Sequence, residues 1–230
     1  SESGNVLWFI MIGLVLIGLL TAVLSRGGSS VDQGGDVEQL RVIAGQIMRT
    51  ARAYESAVNQ MKLRGISESD ISFENTRTAV DYENTNCGNT DCLIFDAGGG
   101  GMTYTDPPPR AVTTPATEWI FTAANNVGTT ANPVGTTAAG TGNDLMIMLP
   151  NVNQTLCTQM NRILEVNEPD NTPPVDAGVS FTAFDGDYPS ATLVTLEGSA
   201  GNFELNGEPA GCFYDDATSG YYFYQVLLAR

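Results

Sequence analysis

VLWFIMIGLVLIGLLTAVL, residues 6–24, runs for nineteen positions without a charge. Coiled as an α-helix at about 1.5 Å per residue it is roughly 28 Å long, close to the hydrocarbon thickness of a bilayer. Trp8 stands near its start, where membrane interfaces favour indole rings, and Arg26 follows its end. A helix that is apolar on every face rarely belongs to a soluble core. A secretory signal would need a basic n-region, yet SESGN supplies only Glu2, and no clean small-residue cleavage site follows the run. Residues 1–26 therefore read as a retained apolar helix, held in a membrane before any assembly. The chain opens at Ser1, which leads us to expect that a leader has been removed.

Working outward, residues 27–35 (GGSSVDQGG) hold four glycines in nine positions and read as a flexible, extended break. Glycine costs about 1 kcal/mol at each helical position, which favours that interruption. Asp36 then suits a helix N-cap, and Gly65 suits the stop of a long amphipathic helix, giving a segment 36–65. Its apolar positions are Val37, Leu40, Ala44, Ile47, Ala51, Tyr54, Val58 and Met61, a heptad stripe. Such a stripe serves either to pack the helix on its own head or to form a seam between subunits. Val42 and Ile43 widen the apolar face enough for both.

From residue 66 to residue 230 the helical period fades. Strand-type runs appear at Cys92–Ala97, Met102–Thr105, Glu118–Ala123, Leu145–Leu149, Val179–Phe184, Ala191–Leu196 and Tyr221–Leu228. Gly98–Gly101 suggests a hairpin connection between the first two, and Asn206-Gly207 a turn. A shorter helix, Asn151 to Val166, carries Val152, Leu156, Met160 and Ile163 on one face. The last run, YYFYQVLLAR, is apolar on both alternating faces, as in a strand buried on both sides. Residues 126–142, with V-G-T-T twice, read as a long exposed loop. The fold class expected is α+β: an apolar helix, a Gly/Ser break, and a long amphipathic helix packed on a β-rich, disulfide-stapled head. Four cysteines allow three pairings, of which Cys87–Cys92 and Cys157–Cys212 are favoured. An even, oxidised set places the head in an oxidising compartment outside the cytoplasm.

Charge divides the chain in the same way. Residues 1–64 carry six bases and five acids, whereas residues 65–230 carry four bases and 21 acids, within a net charge of −16. That balance argues against a nucleic-acid partner, because phosphate binding needs clustered Lys and Arg. With no histidine there is no Ser-His-Asp triad, no Cys-His pair and no imidazole metal site. Asp185, Asp187, Asp215 and Asp216 are the densest acids and could supply oxygen ligands to calcium, although such loops are usually just solvated. No other cofactor is expected. Asp96 followed by four glycines lacks the Lys and Ser/Thr of a phosphate-binding loop, and no motif pairs two carboxylates for hydrolysis, so no enzyme is expected. Asn153-Gln154-Thr155 fits the N-glycosylation triplet.

The order of apolar N-terminal helix, amphipathic helix and disulfide-stapled β-rich head resembles that of type IV pilins and the related pseudopilins. In that family a leader peptidase removes a short basic leader, and the apolar helices pack together as a filament core. The family carries glutamate at the fifth mature position; this chain has Asn5, and Glu2 is the nearby acid. It also has neither a mid-helix proline nor an uninterrupted pattern across residues 27–35. Separately, NVLWFIMIGLVLIGLLTAVLS, DISFEN, CLIFDAGGGG and YYFYQVLLAR resemble a group of uncharacterised bacterial envelope proteins. The resemblance implies self-assembly into an extracellular filament whose head makes surface contact with a ligand not specified by the sequence. Glu2, Trp8, Gly13, Gly18, Ala22, Val37, Leu40, Ile47 and Tyr54 are the residues expected at subunit contacts. Gly18 and Ala22 form a small-xxx-small pair, and Gly13 adds a notch. The alternative is a single-pass anchored envelope or viral spike protein whose head binds a partner.

Overall fold

A computed structural model describes residues 3–129, 131–135, 142–189, 194–199 and 202–230. Its elements are α1 (Ser3–Leu63), β1 (Ile120–Val127), β2 (Asp144–Leu149), α2 (Gln154–Leu164), β3 (Val175–Asp176), β4 (Val194–Leu196), β5 (Ala210–Asp215) and β6 (Gly220–Leu228). Two short 3₁₀ turns, Glu68–Asp70 and Thr90–Cys92, follow α1. The chain falls into two compact units, residues 1–42 and residues 43–230.

The backbone of α1 is helical without interruption, and this corrects the expected break. Residues 27–35 are helix, and Asp36 lies inside it rather than capping it. The cost of starting a helix is concentrated in its first turn, and here both flanks are already helical. Four glycines at about 1 kcal/mol each weaken a helix that propagates from either side without requiring it to stop. The C-terminus behaves as expected. Gly65 takes φ +91°, its N–H donates to Lys62 O at 2.9 Å, and Ile66 N–H donates to Met61 O at 3.1 Å. This is the paired arrangement that closes a helix on a left-handed residue.

Within residues 43–230 the heptad stripe is core. Ala44, Ile47, Ala51, Tyr54, Val58 and Met61 are all 0% exposed. They lie against the head of the same chain, where the Tyr54 ring meets Phe121 at 5.2 Å and Phe95 at 6.0 Å. Phe121 in turn stacks on Phe73 at 4.1 Å, and Phe73 meets Phe184 edge-on at 6.0 Å. Ile47 and Tyr54, expected at subunit contacts, are therefore enclosed by their own head. Burying a large side chain within the chain incurs none of the association entropy that a subunit seam would.

One six-stranded sheet, in the order β3-β5-β6-β2-β1-β4, organises the head. Its central pairs are antiparallel, and β3 and β4 add parallel edges. β6 is flanked on both sides and buried from Tyr222 to Leu227, as its doubly apolar pattern predicts. Gln225 Nε2 donates to Glu55 Oε2 of α1 at 3.2 Å, so Phe223 and Gln225 face that helix. Tyr222, Tyr224 and Val226 point to the other side, into a core with Met146, Met148, Phe213, Leu196 and Leu205. Cys212 lies opposite Phe223 in the ladder, which puts α2 on the α1 side of the sheet through the Cys157–Cys212 bridge.

Several expected strands are absent. Cys92–Ala97 and Met102–Thr105 form no strand and no hairpin. The glycines instead fold the chain tightly back. Gly100 N–H donates to Leu93 O at 3.0 Å and Met102 N–H to Ile94 O at 3.0 Å. A Cβ on Gly99 would stand 1.8 Å from Leu93 O, so only glycine fits there. Val179–Phe184 also forms no strand. The Asn125 side chain takes the place of a ladder partner, accepting from Ser180 N–H at 2.7 Å and donating to Ser180 O at 2.8 Å. β5 and β3 were not expected. Of Ala191–Leu196, β4 retains Val194–Leu196, and residues 191–193 lie outside the described residues. In the supposed loop 126–142, Asn126 (1% exposed) and Val127 (0%) are buried at the end of β1, while 130 and 136–141 lie outside the described residues.

Candidate functional site

Two places gather the chemistry of this chain, one in each unit. In residues 1–42 it is the apolar part of α1. Eleven large apolar side chains from Trp8 to Leu20 are exposed by 38% to 66%, and they include consecutive positions such as Trp8 through Ile12. Consecutive helical residues point about 100° apart, so this surface encircles the helix rather than forming a stripe. Gly13 and Gly18 are open notches, with nothing within 4 Å of a Cβ built on either. Thr21 satisfies its hydroxyl locally, donating to Ile17 O at 2.7 Å and Gly18 O at 3.1 Å, which leaves the surface without an unpaired polar group at that point. Val37 is 43% exposed and Leu40 is half-buried. Glu2 lies outside the described residues. Among the described residues, no helix is long and apolar enough to cross a membrane, and the described side chains of this surface run from Trp8 to Ala22.

In residues 43–230 a polar cluster closes the head. Asp144 opens β2 and is 0% exposed. Its carboxylate accepts from Val127 N–H at 3.0 Å, at the end of β1, and from Arg230 N–H at 3.0 Å, just beyond β6. Both ladders of β2 shift register beside it, so the side chain supplies hydrogen bonds that the backbone there does not. Burial pushes its pKa up to about 7, and the two N–H donors and the Arg230 charge only partly offset that. Arg230 also places its guanidinium 3.8 Å over the Tyr188 ring and its Nε 2.9 Å from Glu68 Oε2. The latter is a charge contact without hydrogen-bond alignment. Glu68 Oε1 meets Lys62 Nζ at 2.9 Å, so the network ties the last turn of α1 to the end of β6. Asp144, Arg230, Glu68 and Lys62 each have a partner within the fold.

Elsewhere the expected sites separate. Cys87–Cys92 and Cys157–Cys212 are both formed, with Cα–Cα distances of 5.6 and 5.3 Å. The calcium candidates fall at two different turns. Asp185 accepts from Asp187 N–H at 3.1 Å, whereas Asp215 receives Thr218 N–H and Oγ1 and so closes the β5–β6 hairpin. Among the described residues, no three metal-ligating side chains come together. Asn153 precedes α2, and its Nδ2, the atom a glycan would modify, donates to Arg110 O at 2.8 Å. A cleft of about 620 Å³ is lined by Arg77, Asp106, Pro107, Pro109 and Glu118. Its charged groups are already engaged. Arg77 pairs with Asp106 at 2.9 Å, and both Glu118 oxygens receive Ala79 N–H. Sequence reasoning missed Asp144, because an acid beside an apolar run gives no sign that two neighbouring strands will need its oxygens.

No family model matches the chain, no curated protein matches it, and no solved structure matches it.

Proposed function

We propose that this chain is a pilin-like structural subunit of an extracellular bacterial filament, polymerising through its apolar N-terminal helix with the acidic head outward. One observation carries the proposal: large apolar side chains from Trp8 to Leu20 are uncovered all round the helix, in a chain whose head buries the stripe from Ala44 to Met61. An apolar surface of this extent is not left to water. In lipid the hydrophobic drive is already satisfied, so association between copies depends on close packing, for which Gly13 and Gly18 leave room. The head suits an exposed position. It is closed by two disulfides and is strongly acidic.

Negative-stain microscopy of sheared cell-surface material tests this. Filaments that contain the chain are expected, and exclusive recovery with the membrane fraction would overturn the proposal in favour of a single-pass anchor. Gly18→Leu sharpens the comparison, since a Cβ at this position meets nothing within 4 Å in the isolated subunit. It is expected to abolish or sharply reduce filaments while the melting of the head stays unchanged.

A further inference from the structure

We infer that the outward face of α1 around Arg49 and Arg52 docks against the acidic head of a neighbouring copy of this chain. The inference rests on the filament proposal and specifies a contact outside the apolar core. Arg49 and Arg52 are three residues apart on α1, outside the buried Ala44–Met61 stripe, and both are exposed; Arg52 also borders a cleft that it shares with Glu55 and Glu208 of the head. Neither has a hydrogen bond or an ion pair among the described residues. Most other bases in residues 43–230 are engaged. Lys62 and Arg230 hold Glu68, Arg77 holds Asp106, and Arg64 donates to the carbonyls of Gly98 and Gly99. Arg110 and Arg162 are also unpaired among the described residues but lie apart, whereas Arg49 and Arg52 stand about a turn apart on one helix.

The complementary charge is on the same chain, in residues 74–91. Glu74, Asp81, Glu83 and Asp91 are exposed, and the one base in that stretch, Arg77, is already paired. Copies carrying a net charge of −16 repel one another over a distance of roughly 10 Å at about 0.1 M salt. An assembly that brings heads side by side must offset that repulsion. Setting the two free guanidiniums against a neighbour's carboxylates does so, and fixes the register between copies as well. Two arginines are too few for a phosphate-binding surface, which makes a second copy the occupant the charges favour.

The test is sedimentation of the purified full chain in a neutral detergent at about 20 and about 200 mM NaCl, where the Debye length falls from roughly 20 to 7 Å. At the lower salt Arg49→Glu/Arg52→Glu is expected to self-associate at least about tenfold more weakly than wild type, the size of two exposed ion pairs. That gap is expected to narrow at the higher salt, where the charges of both proteins are screened. Arg110→Glu, which alters another exposed arginine off this face, is expected to follow wild type. Thermal melting of the head should be the same in all three. A double variant that matches wild type at low salt, or a gap that salt does not narrow, overturns the inference while leaving the filament proposal intact. A wild type that stays monomeric under every condition and forms no filaments brings down both.

Discussion

Replacing one disulfide at a time by alanine pairs measures how the head is held. Cys157–Cys212 links α2 to β5 across 55 residues, whereas Cys87–Cys92 closes a loop of only 5. On the chain-entropy account, the restriction that each bridge imposes on the unfolded chain amounts to about 4 kcal/mol for the long loop and about 2 kcal/mol for the short one. Burial widens the gap. Cys157 and Cys212 are 0% exposed, so Cys157→Ala/Cys212→Ala also leaves small voids, while Cys87 lies nearer the surface. The long-loop variant should still fold. Asn161 independently binds the Cys212 backbone, accepting from its N–H at 2.8 Å and donating to its carbonyl at 2.8 Å. The assay is equilibrium urea unfolding followed by Trp119, which is 1% exposed, in a Trp8→Phe background that removes the exposed second tryptophan. Cys157→Ala/Cys212→Ala is expected to lose about 4 kcal/mol or more, roughly twice the loss of Cys87→Ala/Cys92→Ala. Equal losses, or a larger loss for the short loop, would refute the idea that loop length governs these bridges.

Asp144 makes stability depend on pH in the direction opposite to most carboxylates. Its folded pKa is raised to about 7 from 3.8, so between those values the folded state binds more protons than the unfolded chain. Stability therefore falls as pH rises through that window, by at most about 1.4 kcal/mol per pH unit, with the cost absent below about 4 and complete above about 7. Asp144→Asn should flatten that slope in urea titrations, and identical pH profiles for the two proteins would sink the assignment. Ile47→Ala, at a position 0% exposed, should cost about 2–5 kcal/mol, against less than about 0.5 kcal/mol for the exposed Arg49→Ala. A silent Ile47→Ala would mean that the stripe is not packed on its own head. Gly99→Ala drives a Cβ into the Leu93 carbonyl and should destabilise by more than about 2 kcal/mol, whereas Gly88→Ala meets nothing and should be nearly neutral by the same measurement.

What could be read along the chain was whatever is local. The uncharged run at residues 6–24, the heptad stripe, the stop at Gly65, the presence of α2, though shorter (Gln154–Leu164) than the expected Asn151 to Val166, and the doubly buried final strand depend on periodicity and on residues a turn apart. The close pair Cys87–Cys92 belongs with them, and so does the division into a nearly neutral stem and an acidic head. Residues 27–35 misled because glycine content was weighed position by position, whereas a helix is cooperative and its cost is concentrated in nucleation. Cys92–Ala97 and Val179–Phe184 misled because an apolar run can be buried without a ladder, as Phe184 is against Phe73, once a side chain such as Asn125 satisfies the backbone.

Only the tertiary structure decided what the amphipathic stripe is for. The same alternation of three and four suits a subunit seam or an intrachain core, and it is the aromatic cluster around Phe121, assembled from segments far apart in sequence, that encloses Tyr54. β5 and the place of Asp144 were settled in the same way. A strand opening Ala-Gly-Cys has little pattern of its own and exists because β6 lies beside it, and a lone acid becomes a clamp because two ladders slip register on either side. Sequence determines the elements whose energetics close within a few turns of chain. Pairing, register and the burial of charge depend on partners that only folding brings together.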